Sequence, residues 1–70
     1  MNRTSVSSSN IASIGYDSTA QVLEIEFHDG SIYQYEGVPE HEYQGMMSAG
    51  SHGQYLHQHV KDKYSYRKIR

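Results

Sequence analysis

Two short runs of alternating side chains set the pattern of the chain. From Val22 to Phe27, Leu23, Ile25 and Phe27 point one way, while Val22, Glu24 and Glu26 point the other. That period of two is the mark of a half-buried strand. From Ile32 to Glu36 the pattern repeats, with Tyr33 and Tyr35 on one face and Ile32, Gln34 and Glu36 on the other. Asp29-Gly30 lies between them and makes the pair a hairpin. A two-residue turn would set both tyrosines opposite glutamates. A three-residue loop, His28-Asp29-Gly30 with Gly30 left-handed in a bulge, pairs Ile25 with Tyr33 and Leu23 with Tyr35. Only the second gathers the large apolar groups on one face, so it is the register expected.

An earlier strand is expected over Ile11 to Tyr16, with Ala12, Ile14 and Tyr16 sharing a face, followed by a polar turn at Asp17-Ser18-Thr19-Ala20. Val38-Pro39 ends the sheet, and Pro39 with Glu40 and Glu42 suits the start of a short helix. Tyr43 with Met46 or Met47 gives its buried side, and Gly45 and Gly50 limit its length. Ser51-His52-Gly53-Gln54 has the S-x-x-Q spacing of a capping box, so a second helix is expected from there to about Lys63. Leu56, Val60 and Tyr64 form its inward stripe, with Tyr55 and His59 beside it. Tyr64 to Arg70 is a final strand or a tail.

The fold class expected is α+β: a small antiparallel three-stranded meander with two short helices packed on one face, in the order β-β-β-α-α. Residues 1–10 form an N-terminal segment, partly disordered or an edge strand opening near Val6, and residues 11–70 form a single domain. The candidate core is Ile14, Tyr16, Leu23, Ile25, Phe27, Tyr33, Tyr35, Val38, Tyr43, Leu56 and Val60.

Composition narrows the class. Seventy residues with no cysteine exclude a disulfide framework and a thiolate metal site, and fit a cytoplasmic protein. No signal peptide is visible, no apolar run spans a bilayer, and no membrane partner is expected. A small sheet with an open edge makes a homo-oligomer plausible.

The formal charge of −2 is unevenly spread. Residues 1–60 hold seven acids against one base, Arg3, for −6; residues 61–70 hold five bases against Asp62, for +4. Lys61, Lys63, Arg67, Lys68 and Arg70, interleaved with Tyr64 and Tyr66, are the candidate contacts to nucleic acid or another anion. Tyr55, Tyr64 or Tyr66 would supply stacking. The competing reading is a solvated helix end, or a tail folded onto the acidic body.

A second candidate is the helix start Ser51, His52, Gly53, Gln54 and Tyr55, whose free N–H groups could hold a phosphate-bearing small ligand. Ordinary capping by Ser51 is the plainer alternative. Tyr33 and Tyr35 could stack bases, but the register turns them inward, as core aromatics. The five histidines lack ligand spacing: His41-Glu42 is followed by Gly45 where H-E-x-x-H needs histidine, and His57 and His59 diverge on a helix. No metal, no cofactor and no catalytic residues are expected. Glu24 and Glu26 sit on the solvent face of a strand, and no phosphate loop or dinucleotide motif occurs.

Val6 with Ser8-Ser9, Ile14-Gly15-Tyr16-Asp17, Leu23 to Phe27, Gly30, Tyr33-Gln34-Tyr35, Gly37-Val38-Pro39, Tyr43, Ala49, Ser51-x-Gly53-x-Tyr55 and Tyr64 together resemble the KTSC domain family. That family is named for its place at the C-terminus of some lysyl-tRNA synthetases, and it also occurs as free-standing small proteins. The resemblance implies no catalytic activity, and its synthetase setting suggests RNA. The function expected is therefore non-catalytic binding of RNA or single strands through the basic C-terminus. The alternatives are an oligomeric nucleotide-binding protein with an anion at Ser51, and a protein-interaction adaptor.

Overall fold

Alternation and turn chemistry build the centre of the fold as expected. In the computed structural model, which describes residues 1–70, β2 (Ile11–Asp17), β3 (Val22–Phe27) and β4 (Ile32–Glu36) form an antiparallel meander. Leu23 stands opposite Tyr35 and Ile25 opposite Tyr33. The loop between β3 and β4 is the three-residue form: the Phe27 N–H donates to the Ser31 carbonyl at 2.9 Å, and Gly30 has φ +91°. At the preceding turn the Asp17 carboxylate accepts from the Thr19 and Ala20 N–H groups at 3.0 and 3.1 Å.

The three-stranded expectation is wrong. The sheet has five antiparallel strands in sequential order, because β1 (Arg3–Ser5) adds to the free edge of β2 and β5 (Tyr66–Lys68) to the free edge of β4. The order is β-β-β-β-α-α-β. Both added strands are three residues long and almost wholly polar, Arg-Thr-Ser and Tyr-Arg-Lys. They join strands already in place through backbone pairing and polar side chains, so no hydrophobic alternation announces them.

A bulge shapes the core. The β2–β3 register shifts between Ile11 and Ser13, which opposes Ile11 to Phe27 and Ser13 to Glu26. The extra residue, Ala12, turns Ile11 inward and Ser13 outward, so Ile11 and Ile14 both reach the core although they are three apart. Ile11 and Met46 thus join the buried cluster of Ile14, Leu23, Ile25, Tyr35, Val38, Leu56 and Val60. Tyr16, Phe27, Tyr33 and Tyr43, expected in the core, pack against it half-buried.

Two helical segments cover that face. Pro39 caps α1 (Glu40–Ser48), and Ser51 caps α2 (His52–Tyr55), which runs directly into a π-helical turn at Leu56–Val60. The wide turn is closed by the Lys61 N–H donating to the Leu56 carbonyl at 2.8 Å. Leu56 and Val60 face the sheet, and the chain then returns along β5. Tyr16 and Tyr43 stack with ring centroids 5.0 Å apart, and the Tyr16 hydroxyl donates to the Val38 carbonyl at 2.5 Å, tying β2 to α1.

Candidate functional site

The outer face of the sheet is closed by charge pairing. Arg3 reaches over β2 and donates to Glu24 and, through Nε, to Ser13 Oγ at 2.9 Å. Gln34 Nε2 donates to the other Glu24 oxygen at 2.8 Å. Burial alone would push the Glu24 pKa up, but the bonds from Gln34 and Arg3 outweigh it and hold the carboxyl below its usual range. Glu24, read from the sequence as a solvent-face residue, is therefore a buried structural anion.

The basic C-terminus is largely spent inside the molecule. Arg70 pairs with Glu26 at 3.2 Å and donates to the Gly30 carbonyl. Arg67 lies 3.9 Å from Glu36, and Lys63 lies 3.3 Å from the buried Glu42. Lys61 and Lys68 make no ion pair. Of the five candidate anion contacts, three are folded onto the acidic body.

The Ser51 helix start also has structural duties. Ser51 Oγ accepts the Gln54 N–H at 3.2 Å, and His52 Nδ1 bonds the Met46 carbonyl at 2.8 Å. Gly53 lies against Asn10, whose Oδ1 would stand 2.8 Å from a Cβ at that position. Tyr55 points its hydroxyl into the protein, to Glu42 at 2.7 Å, and Tyr64 does the same at 3.0 Å. The Tyr55 ring packs on His59 with centroids 4.4 Å apart, and Lys63 Nζ lies 5.6 Å from the centre of the Tyr64 ring. Tyr66 is 57% exposed.

What the fold does bring together is an open groove of about 420 Å³ between the α2 segment and the β4–β5 edge. Its wall is aromatic: Phe27, Tyr33, Tyr35 and Tyr66. Phe27 meets Tyr33 edge-on at 5.6 Å, and Tyr66 leans on Tyr33 and Tyr35 at 5.7 and 5.6 Å. The rim carries His57, Lys61, Asp62 and Asp29. Lys68 stands opposite Tyr33 across the β4–β5 pair, on the same face. Asn10, Gly53 and His57 continue the groove into a polar recess with Ser9, Ser51 and Gln54. Tyr35 is buried, as expected, whereas Tyr33 divides its ring between core and groove.

The groove thus contains parts of both sequence-derived sites, Lys61 from one and Gly53 from the other. It also contains residues that sequence reasoning missed: Asn10, Phe27, Asp29, His57 and Asp62. They come from four separate stretches, so no spacing along the chain relates them. Glu42 could have been found, since Glu42 and Met46 at i and i+4 share the stripe that faces the core. No three metal-ligating side chains converge, and no helix is long and apolar enough to cross a membrane.

Comparison with known proteins fits this architecture. The KTSC domain profile matches residues 7–64. The crystal structure of a KTSC domain protein from Yersinia pestis superposes with a TM-score of 0.93 at 48% identity, over 99% of this chain and 97% of that one. An uncharacterized protein of Stutzerimonas stutzeri is 40% identical over 91% of this chain and 90% of its own length. A lysine–tRNA ligase of Trichormus variabilis is 41% identical over 77% of this chain, a match that covers 10% of that enzyme. The chain belongs to the KTSC domain family.

Proposed function

We propose that the domain is a non-catalytic module that binds single-stranded RNA in the groove between α2 and the β4–β5 edge. The observation that carries this reading is the placement of Tyr66 and Tyr33, with ring surface open to the groove, beside Lys61 and Lys68, the two tail cations left without an internal partner. Aromatic side chains on a sheet stack unpaired bases, and adjacent cations track the phosphates. Support also comes from the lysine–tRNA ligases among the similar proteins, whose matched segment is this domain. On this reading the protein works in the cytoplasm.

The site is the groove and two lysines, not the whole basic tail. That difference is measurable. Binding of a nonamer RNA, followed by fluorescence anisotropy, should weaken with salt at a log–log slope of about −1.4, since each phosphate contact on a single strand contributes roughly −0.7. Engagement of all five tail bases would give about −3.5. Tyr66→Ala should weaken binding by about 1–3 kcal/mol. Absence of binding at low salt, or binding indifferent to both Tyr66 and Lys61, would overturn the reading.

A further inference from the structure

A groove for a polyanion should not carry acids, yet this one holds Asp29 and Asp62 on its rim. Against phosphate each is repulsive. Neither forms an ion pair within the chain, whereas Glu24, Glu26, Glu36 and Glu42 each do. The Asp62 carboxylate forms no ion pair or hydrogen bond within the chain. Asp29 uses one oxygen, Oδ1, which accepts from the Ser31 N–H at 2.9 Å and the Ser31 hydroxyl at 2.6 Å. Those two bonds fix its orientation, Lys68 is near enough to favour its charge, and Oδ2 accepts no hydrogen bond. The groove therefore offers acceptor-only groups beside an aromatic wall.

Acceptors beside a stacking surface suit a base that presents donors. The Watson–Crick edge of guanine offers a ring N–H and an amino group side by side, a match for the two oxygens of one carboxylate. Adenine and cytosine present one amino group next to a ring nitrogen whose lone pair a carboxylate repels. Uracil has a single N–H between two carbonyls. Resting on the RNA-binding reading above, we infer that the groove selects guanine, with the base stacked on the Tyr33–Tyr66 wall and its Watson–Crick edge bonded to both oxygens of the Asp62 carboxylate.

The test uses the full chain and RNA nonamers of uridine with the central position varied as U, C, A or G, a host in which guanine cannot self-assemble. The G nonamer should bind about tenfold more tightly than the U nonamer, with A and C between, the size of one well-made bidentate contact. Asp62→Asn is the deciding variant, and Asp29→Asn is the control that should keep the preference for G. Asp62→Asn loses that preference while binding the U nonamer as well as, or better than, the original chain, because a negative charge has gone. A folding defect would weaken all four nonamers together, and circular dichroism identifies it. Equal affinity for the four nonamers overturns the guanine assignment and leaves RNA binding standing. A preference that survives Asp62→Asn overturns it as well. Binding to none of them overturns both readings.

Discussion

The Tyr55 hydroxyl donates to Glu42 Oε1 at 2.7 Å, from α2 to a carboxylate on α1 that is only 4% exposed. The second oxygen of Glu42 accepts from Tyr64 at 3.0 Å and from Lys63 at 3.3 Å. One buried anion thus joins α1, α2 and the segment that leads to β5. Removing its charge leaves three donors facing an amide that can accept fewer bonds and brings donors of its own. Glu42→Gln should destabilise the domain by about 2–3 kcal/mol, the scale of lost hydrogen bonds to a buried charged group. At roughly 4–8 °C per kcal/mol for a domain of this size, Tm falls by about 10–20 °C. Tyr55→Phe should cost about half as much, since Tyr64 and Lys63 remain.

The same cluster sets the behaviour at both ends of the pH scale. Burial pushes the Glu42 pKa up, but the bonds from Tyr55, Tyr64 and Lys63 prevail, and its net pKa lies below the ordinary value of 4.5. A carboxyl lowered on folding contributes stability that is present above its unfolded pKa and lost as pH falls through its folded one. The chain should therefore begin to lose stability below about pH 4.5, and the Glu42→Gln variant should show a shallower loss. At the alkaline end the bond to Glu42 is the chief cause that lifts the Tyr55 pKa from 10.0 to about 12. A raised phenol contributes stability below its unfolded pKa and loses it between pH 10 and about 12. Urea denaturation across this range, with Tyr55→Phe as comparison, measures that contribution. An ultraviolet titration in which all seven tyrosines ionise together near pH 10 would contradict it.

Gly45 faces that tyrosine. A Cβ on Gly45 would stand 2.9 Å from Tyr55 Cζ and nearer still to the hydroxyl, whose position is fixed by Glu42. In an open helix Gly→Ala gains about 1 kcal/mol. Here the clash should reverse the sign, and Gly45→Ala should destabilise by about 1–3 kcal/mol. Replacing Tyr55 by alanine first removes the obstacle, so Gly45→Ala in that background should be stabilising. A double-mutant cycle by thermal denaturation shows the reversal, and the same sign in both backgrounds would disprove the steric account.

The contrast between the central hairpin and the edges explains what was legible in the sequence. The β3–β4 register followed from side-chain alternation and a glycine that must be left-handed, both local properties. The burial of Ile11 depends on a bulge at Ala12, which has no turn residue to mark it. β1 and β5 are recruited by strand edges, a tertiary effect that their polar residues do not advertise. The site was less legible still. Charge along the chain separates a basic tail from an acidic body, but folding superposes them, so Lys63, Arg67 and Arg70 appear in the sequence as free cations and in the structure as paired ones. The groove is a product of that superposition.

Arg3 gives the last test, because it makes β1 more than a backbone ribbon. Its aliphatic stem lies over Gly15, where a Cβ would stand 2.7 Å from the Asn2 carbonyl oxygen and 2.9 Å from Arg3 Cγ, and its guanidinium reaches Ser13, Glu24 and, at 3.8 Å, Glu26. Arg3→Ala should leave Glu24 buried with Gln34 as its remaining partner. Breaking a buried ion pair costs about 3–5 kcal/mol, less where one partner is a quarter exposed, so a loss of about 2–3 kcal/mol is expected. The Glu24 pKa should rise once the cation has gone, which moves the acid unfolding midpoint to higher pH. Combining Arg3→Ala with Glu24→Gln should restore part of the stability, since the stranded charge is then absent. If Arg3→Ala costs no more than a surface substitution, within about 0.5 kcal/mol, β1 is held by its backbone bonds alone.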